Sequence, residues 1–316
     1  MVTLAIVVPV YNEEETLPEL CRRLGDSCAK LDDVDWRVIF VIDGGSDRTA
    51  AILETARAAE PRFALVELSR NFGQQAAISA GLAHADADAV VIMDGDLQDP
   101  PELIPELVAC WRSGAQVVRA ERRSRQDDGL RRVGFEVFHR FFSAVSDFDF
   151  GRNSGVFSLL DRRAVDEFNQ LPEKHRFIPG LRTWIGFEQR SVPYDRQARA
   201  AGAPKQTLPR LVRYAMDAVF SFSYKPLRLM TLFGLLVSTV GFALASVFVV
   251  RRLIGAEIAQ TGFTTLVTLI LFLGGIQLMA VGLLGEYLGR IYDEVKRRPL
   301  YIVKRRAGVE PPMESR

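Results

Sequence analysis

The sequence predicts an α/β fold, with a mostly parallel sheet covered by helices on both faces, followed by two membrane-spanning helices. Strand-like apolar runs alternate with helix-like runs over the first 120 residues, which is the rhythm of a parallel sheet. In the last third, residues 229–250 and 261–285 contain no Asp, Glu, Lys or Arg. At about 1.5 Å per residue, the shorter of these runs spans a hydrocarbon core of about 30 Å.

The elements of the sheet follow in order from the N-terminus. The first strand is TLAIVVPV, at residues 3–10. A helix is predicted after it from about Glu13 to Lys30, with Asn12 as its N-cap and Glu15 completing a capping box. Three more strand and helix pairs are predicted, with strands at 36–42, 63–68 and 88–94 and helices at 46–60, 73–85 and 100–114.

Polar side chains follow four of these strands. They are Tyr11, Asn12 and Glu13 after the first, Asp43 after the second, Arg70 and Asn71 after the third, and Asp94, Asp96 and Gln98 after the fourth. Ligands bind beyond the carboxyl ends of parallel strands, so we expect these residues to share one site. Neither His nor Cys belongs to the set, which argues against zinc.

Three of the four oxygen-bearing side chains in the segment MDGDLQDPP predict a hard cation. Asp94, Asp96 and Gln98 offer the ligands that Mg²⁺ or Mn²⁺ prefers, and such an ion takes the rest of its shell from water and substrate phosphates. The chain has no G-x-x-x-x-G-K-[ST] loop and no G-x-G-x-x-G after the first strand, which disfavours P-loop hydrolysis and dinucleotide binding. The sequence therefore predicts a divalent ion held against a diphosphate.

Charge is distributed unevenly along the chain. Residues 1–110 hold 8 Lys or Arg against 20 Asp or Glu, whereas residues 111–316 hold 32 against 19. A basic second half predicts an anionic partner, and on charge alone nucleic acid, phosphate and a membrane surface all remain open.

The charges beside the two apolar runs predict their orientation. Eleven basic residues flank the pair of spans and two lie between them; these are Arg210, Arg213, Lys225, Arg228, Arg290, Lys296, Arg297, Arg298, Lys304, Arg305 and Arg306, against Arg251 and Arg252. The positive-inside rule then places both termini in the cytoplasm. The N-terminus lacks a basic leader, so we expect no signal peptide.

These patterns predict a linear order of domains. A cytoplasmic catalytic domain occupies residues 1–206, and amphipathic juxtamembrane helices occupy 207–228. The spans at 229–250 and 261–285 enclose a short external loop at 251–260. Residues 286–316 form a basic cytoplasmic tail.

Several segments resemble a known family. VVPVYNEE, DGGSDRT and DGDLQDPPE resemble the GT-A-fold family 2 glycosyltransferases. YDRQARAAGAPK, SYKPLRL and GLLGEYLGRIYDEVKRRPLYIV resemble the membrane-anchored subset that glycosylates polyprenyl phosphates, which includes bactoprenol glucosyltransferases, undecaprenyl-phosphate aminoarabinose transferases and, more distantly, dolichol-phosphate mannose synthases. The resemblance covers nearly the whole chain.

The resemblance implies a role for each matching residue. The nucleotide sugar would be bound by Pro9, Tyr11, Glu13, Ile42, Asp43, Arg70, Gly95 and Arg122, with Asp43 hydrogen-bonding the base. Asp94 and Asp96 would be catalytic through the metal, with Gln98 as a third ligand. The acceptor phosphate would be bound by Arg125, Arg131, Arg196, Arg199 and Lys205.

The implied reaction is a metal-dependent, inverting transfer of one sugar from a nucleotide sugar to polyprenyl phosphate at the inner membrane. A UDP-sugar is favoured over a guanosine donor. The resemblance also implies contact with membrane lipids, assembly into a homo-oligomer (a tetramer) and no nucleic acid partner.

The sequence departs from the family pattern in three segments, which include Gly45 for the serine of Asp-Asp-Gly-Ser and Pro204-Lys205-Gln206 for Ser-Lys-Tyr, and it leaves two other functions open. Ile42 replaces the first aspartate of the usual Asp-Asp-Gly-Ser, and Asn153 and Val156 stand where the family carries acidic residues. One alternative is a glycosyltransferase with another lipid or a glycan as acceptor. The other is a catalytically silent homologue that acts as a membrane scaffold.

Overall fold

A computed structural model describes residues 1–123, 154–195, 224–254 and 262–311. The described residues divide into two compact units. The first contains residues 1–123, 154–195 and 299–311, and the second contains residues 224–254 and 262–298.

The first unit contains eight strands and six helices among the described residues. The strands are β1 (Val2–Val10), β2 (Val34–Ile42), β3 (Phe63–Leu68), β4 (Ala89–Ile92), β5 (Val117–Arg122), β6 (Ser154–Asp161), β7 (Gln189–Tyr194) and β8 (Val303–Ala307). The helices are α1 (Leu17–Cys28), α2 (Thr49–Ala59), α3 (Gln74–His84), α4 (Ile104–Arg112), α5 (Arg162–Gln170) and α6 (Ile178–Trp184), with a 3-10 turn at Pro101–Leu103 before α4.

The eight strands form one sheet in the order β7-β5-β6-β4-β1-β2-β3-β8. Strands β4, β1, β2 and β3 run parallel to one another, and β7 runs parallel to β5. Strand β6 is antiparallel to both β4 and β5, and β8 is antiparallel to β3. The mostly parallel α/β sheet predicted from the sequence is confirmed.

Both faces of β1 are covered by helices, which explains why the strand is apolar along its length. Leu4, Ile6 and Val8 pack into the same core cluster as the buried residues of α1. Val7 lies on the opposite face, where a Cβ on Gly81 of α3 would come 2.2 Å from Val7 Cγ1. Glycine at position 81 therefore allows α3 to pack directly on the sheet.

The start of α1 differs from the prediction. The helix begins at Leu17 rather than near Glu13, and its N-cap is Thr16, not Asn12. Asn12 has a left-handed backbone with φ of 51°, and its Oδ1 accepts a hydrogen bond from the backbone N–H of Ser46. Because the Asn12 side chain joins two loops, it is not available to cap the helix.

The C-terminal segment contains a strand that the sequence did not predict. Strand β8 pairs with β3 so that Leu65 lies opposite Ala307 and Glu67 lies opposite Arg305. Residues 286–316, predicted as a tail, therefore begin within a helix and return to the edge of the sheet of the first unit.

The second unit contains the two apolar helices, α7 (Lys225–Leu253) and α8 (Phe263–Val295). The segments long and apolar enough to cross a membrane are Lys225–Leu244, with a mean hydropathy of 1.8, and Phe272–Val295, with 1.3. Neither segment is buried within the protein, unlike the core helices of a soluble domain. These two helices indicate a membrane-associated protein.

Candidate active site

The sheet brings the polar strand ends together. Strands β4, β1, β2 and β3 are adjacent and parallel, so the loops that follow them meet at one edge of the sheet. These loops carry the residues predicted from the sequence to share a site.

The loop after β4 turns its side chains alternately outward and inward. Asp94, Asp96 and Gln98 are half-buried, whereas Gly95, Leu97 and Asp99 are buried. Leu97 has a left-handed backbone with φ of 61°, which is uncommon for a residue with a Cβ. The chain turns at this residue, and buried and half-buried side chains still alternate on either side of it. The three predicted metal ligands thus lie on the outer side of one loop.

Hydrogen bonds fix the outer side chains of this loop. Gln74 Nε2 donates to Asp94 Oδ1 at 2.6 Å, and the backbone N–H of Gln98 donates to Asp96 Oδ1 at 3.1 Å. An ionised carboxylate has about four lone-pair positions, so one side chain can accept a hydrogen bond and also ligate a cation.

Gly95 presses the loop against the end of β1. A Cβ at position 95 would lie 2.9 Å from Val10 Cγ1 and 3.2 Å from the carbonyl oxygen of Pro9. The hydroxyl of Thr16 also donates to the carbonyl oxygen of Gly95 at 3.3 Å. Any side chain at position 95 would push Asp94 and Asp96 away from the strand ends.

The donor set fits a hard divalent ion that is shared with a substrate. Two carboxylates and one amide supply too few ligands for a cage made by the protein alone, and no group of three His, Cys, Asp or Glu that could hold a metal occurs within the described ranges. Mg²⁺ usually takes one or two carboxylates and completes its shell with water and phosphate oxygens. The site therefore fits an ion that binds together with a diphosphate.

Asp43 is more deeply buried than the sequence suggested. Its side chain is 3% exposed, and its two oxygens accept hydrogen bonds from the backbone N–H groups of Phe72 at 2.7 Å and Gly73 at 2.9 Å. Burial raises the pKa of the Asp43 carboxyl, while these two hydrogen bonds and Arg70 oppose the rise. Asp43 ties the β2 loop to the β3 loop, and its predicted hydrogen bond to a base remains a prediction.

The other predicted nucleoside-binding residues lie around the same loops. Pro9 is half-buried near the end of β1, and Tyr11 is exposed just beyond it. The backbone N–H of Glu13 donates to Thr49 Oγ1 at 3.0 Å. Arg70 is exposed, and its guanidinium lies 4.0 Å from the ring centre of Phe72. These positions place polar groups around the ends of β1, β2 and β3.

A cleft of about 170 Å³ opens beside the end of β2. It is lined by Ile42, Gly44, Arg70 and, from strand β8, Lys304, among other residues. Lys304 donates to Glu67 at 2.6 Å. Lys304 is not among the predicted site residues, because the run YIVKRRA reads as a basic tail in the sequence alone.

Arg122 lies at the end of β5 and belongs to a buried hydrogen-bonded chain. Its Nε donates to the hydroxyl oxygen of Tyr194 at 3.2 Å, and that hydroxyl donates to Asp99 Oδ1 at 2.7 Å. Burial lowers the pKa of Arg122, but Tyr194 and the carboxylates of Asp99 and Asp94 outweigh it and raise the pKa above its ordinary value. Sequence reasoning missed Asp99 and Tyr194, since only the fold brings the ends of β4, β5 and β7 together.

The five predicted acceptor-phosphate residues lie outside the described residues; they are Arg125, Arg131, Arg196, Arg199 and Lys205. Asn153, one of the departures from the family pattern, also lies outside them. Val156, another departure, is a core residue of β6 and is 7% exposed.

The chain matches known proteins over nearly its full length. The family described as "Glycosyl transferase family 2" matches residues 5–168. "Uncharacterized glycosyltransferase YkcC" of Bacillus subtilis is 40% identical over 307 residues, covering 97% of this chain and 94% of that protein.

Two further relatives carry names that state a reaction. "Bactoprenol glucosyl transferase" of Shigella phage SfII is 38% identical, covering 96% of this chain and 97% of that protein. "Undecaprenyl-phosphate 4-deoxy-4-formamido-L-arabinose transferase" of Proteus mirabilis is 36% identical, covering 98% and 96%.

Solved structures also show similarity. Glucosyl-3-phosphoglycerate synthase from Mycobacterium tuberculosis, in complex with Mn²⁺ and UDP-glucose, aligns with 69% of this chain and 77% of its own, at 18% identity and a TM-score of 0.47.

Proposed function

The chain belongs to glycosyl transferase family 2 and is a glycosyltransferase; from this premise we propose that it transfers one sugar from a nucleotide-sugar donor to a polyprenyl phosphate. The transfer takes place at the cytoplasmic face of the membrane and uses Mg²⁺ or Mn²⁺. A UDP-sugar such as UDP-glucose is the donor.

The acceptor is proposed from the relatives and from the apolar helices together. The relatives named for bactoprenol and undecaprenyl phosphate cover almost the whole chain, including its last third. That third carries the two helices long and apolar enough to cross a membrane. A lipid acceptor stays in the bilayer, so an enzyme that uses it needs to hold its catalytic unit at the membrane surface.

The single observation that carries the donor proposal is the loop after β4. Asp94, Asp96 and Gln98 are three oxygen-bearing side chains on the outer side of a loop at the carboxyl edge of a buried parallel sheet. Placing two carboxylates there is costly unless a cation accompanies them. A bound divalent cation would act as a Lewis acid on the diphosphate leaving group.

The chain's own residues perform the remaining steps. Asp94 and Asp96 would hold the ion, and Arg122 offers charge-assisted hydrogen bonds to a phosphate oxygen. A phosphate monoester has a second pKa of about 6, so the acceptor is already mostly dianionic at neutral pH. The acceptor therefore needs no general base, and its in-line attack on the anomeric carbon would invert that centre.

The proposed orientation follows from the charges that flank the spans. Lys225 and Arg228 lie at the start of α7, Arg290 lies near the end of α8 and Arg298 follows it, whereas Arg251 lies near the end of α7, next to the connecting loop. The excess of basic residues before α7 and after α8 supports a cytoplasmic position for the first unit.

The test is transfer of labelled sugar by the full-length protein in detergent micelles. Purified protein is incubated with UDP-[¹⁴C]glucose, Mn²⁺ and undecaprenyl phosphate, and the organic phase is assayed for labelled lipid. We expect product from the wild type and a loss of at least about 100-fold in Asp96→Asn, because the variant keeps the side-chain shape but removes a charged metal ligand.

A matched control is Asp86→Asn. Asp86 lies near the opposite end of β4, and its side chain is 91% exposed in an ion pair with Arg162. The activity of the Asp86→Asn variant should therefore equal that of the wild type. Failure of the wild type to label lipid with any common UDP- or GDP-sugar would refute the proposal. Full activity of Asp96→Asn would refute the role proposed for the metal loop (residues 94–99 after β4), which is to hold the divalent ion.

A further inference from the structure

One chain of hydrogen bonds joins the end of β5 to the end of β7 and to the loop that follows β4. Arg122 of β5 lies directly opposite Tyr194 of β7 in the parallel register. The Tyr194 hydroxyl accepts from Arg122 Nε at 3.2 Å and donates to Asp99 Oδ1 at 2.7 Å. Asp99 lies three residues after Asp96, so the chain connects Arg122 to the loop that carries the proposed metal ligands.

Two members of the chain are buried and the third is not. Asp99 is 1% exposed and Tyr194 is 5% exposed, and the ring of Tyr194 packs edge-on against Phe157 at 5.8 Å. Arg122 is only half-buried. The buried Asp99 and Tyr194 side chains thus hold Arg122, whose side chain is partly accessible to a ligand.

The direction of the two hydrogen bonds is set by chemistry. An ionised carboxylate can only accept, and a guanidinium can only donate. The Tyr194 proton is therefore committed to Asp99, and the tyrosine oxygen presents a lone pair to Arg122. This leaves the terminal Nη groups of Arg122 to meet a ligand.

The space around the guanidinium is kept open by a glycine. A Cβ on Gly155 of β6 would lie 3.1 Å from Arg122 Nη2, which is tighter than an ordinary contact. Asp99, at the other end of the hydrogen-bonded chain, lies three residues after Asp96. The guanidinium is therefore tied to the loop that carries the proposed metal ligands, in a place that a side chain at position 155 would crowd.

We infer that Tyr194 and Asp99 are positioning residues that hold the Arg122 guanidinium next to the loop that follows β4, oriented to bind the diphosphate of the donor. The inference rests on the proposed function. A long arginine side chain loses rotamer freedom when it binds a ligand. Fixing Nε in advance reduces that loss, because one end of the planar group is already placed before the diphosphate arrives.

The alternative is that Tyr194 and Asp99 only stabilise the core, and a double-mutant cycle separates the two. The variants are Tyr194→Phe, Arg122→Gln and the double variant, each made in the full-length protein in detergent. Affinity for UDP in the presence of Mn²⁺ is measured by calorimetry. Tyr194→Phe keeps the ring on Phe157 and removes only the hydroxyl.

We expect Tyr194→Phe to weaken UDP binding about tenfold, the effect of losing one orienting hydrogen bond. In the Arg122→Gln background the same substitution should have no further effect, since interacting residues are not additive. In turnover assays the KM for the nucleotide sugar should rise while the KM for undecaprenyl phosphate stays constant. Tyr301→Phe, which removes a hydroxyl close to β8, serves as the matched control and should bind UDP like the wild type.

A second variant covers the case in which Tyr194→Phe does not fold. Gly155→Ala should also weaken UDP binding, because its Cβ displaces Arg122 without touching Tyr194 or Asp99. Two results would overturn the inference but leave the proposed function standing. One is an equal loss of UDP affinity from Tyr194→Phe in the wild-type and Arg122→Gln backgrounds, and the other is wild-type UDP affinity in Tyr194→Phe. A wild type that binds neither UDP nor GDP with Mn²⁺ would overturn the proposed function and the inference with it.

Discussion

At the scale of single residues, the site depends on positions where a side chain is missing as much as on those where one is present. Gly95 lets the metal loop lie against the end of β1, and Gly155 leaves room for Arg122. Neither glycine has a left-handed backbone. These two glycines matter because they lack a Cβ where another part of the chain comes close, and not because their backbones need conformational freedom.

Gly95→Ala tests this at the metal loop. The added Cβ would lie 2.9 Å from Val10 Cγ1, and overpacking of this kind costs about 1–3 kcal/mol. We expect a lower melting temperature and a larger loss of the stabilisation that Mn²⁺ and UDP together provide, measured by differential scanning fluorimetry.

Gly25→Ala in helix α1 is the matched control. A Cβ at position 25 meets nothing within 4 Å, and alanine favours a helix interior over glycine by about 0.5–1 kcal/mol. This variant should be at least as stable as the wild type and should keep its response to Mn²⁺ and UDP. Equal behaviour of the two alanine variants would contradict the packing argument.

The residues that the sequence could identify are those that follow strands. Asp94, Asp96 and Gln98 can be proposed as ligands from the sequence because an apolar strand precedes them and the chemistry of their oxygens is local. Asp99 is part of the same segment, but its partner Tyr194 lies 95 positions away. No local pattern indicates that a tyrosine at the end of β7 meets it, because the register of β5 and β7 is set by the whole sheet.

At the scale of elements, β8 is held to the sheet by charged side chains as well as by its backbone. Lys304 and Arg305 both pair with Glu67 of β3, and Arg305 also pairs with Glu54 of α2. The exposed ends of these ion pairs limit each to at most about 1 kcal/mol. The third basic residue, Arg306, makes a different contact.

Arg306 is bound by a neutral histidine. His84 Nδ1 lies 2.7 Å from the carbonyl oxygen of Ala80, and His84 Nε2 lies 2.9 Å from Arg306 Nε. Arginine can only donate, so Nε2 accepts and the proton is on Nδ1. Burial lowers the pKa of His84, and the Arg306 charge lowers it further against the opposing hydrogen bond to Ala80.

This contact predicts a loss of stability in mild acid. The unfolded chain takes up the histidine proton near its ordinary pKa of about 6.5, whereas the folded protein resists it. The contribution of His84 is therefore present above pH 6.5 and falls as the pH drops from there towards the lower folded pKa. We expect the protection factors of the β8 amides, which correct for the intrinsic pH dependence of exchange, to be lower at pH 5.5 than at pH 7.5.

The comparison with His84→Gln isolates the effect, because other groups also titrate in this range. Glutamine offers an acceptor to Arg306 and does not titrate. The difference in unfolding free energy between wild type and variant, measured in urea, should change between pH 7.5 and 5.5. A difference that is constant with pH would show that His84 does not lose this contact on protonation.

At the scale of the whole molecule, the first unit is assembled from both sides of the apolar helices. It contains residues before α7 and residues 299–311 after α8. The sequence predicted a continuous catalytic domain at 1–206 because local patterns describe neighbours along the chain. A five-residue strand with three consecutive basic residues is not distinguishable from a tail until the edge of β3 is known.

Two deletions test whether this return of the chain stabilises the sheet. Removal of residues 299–316 takes away β8 and leaves β3 as an exposed edge, whereas removal of 311–316 keeps β8. Trp36 of β2, whose ring lies 6.4 Å from that of Phe63 at the start of β3, contributes to the fluorescence that follows unfolding. We expect the longer deletion to lower the melting temperature by about 5–10 °C.

The longer deletion should also aggregate, because an unpaired edge strand is a template for other strands. The shorter one should melt and remain soluble like the full chain, since it keeps all the pairs between β3 and β8. Both deletions retain α7 and α8, so a change in membrane attachment cannot account for a difference between them. Equal melting temperatures would mean that β8 lies on the sheet without supporting it, and that the basic residues after α8 serve another purpose.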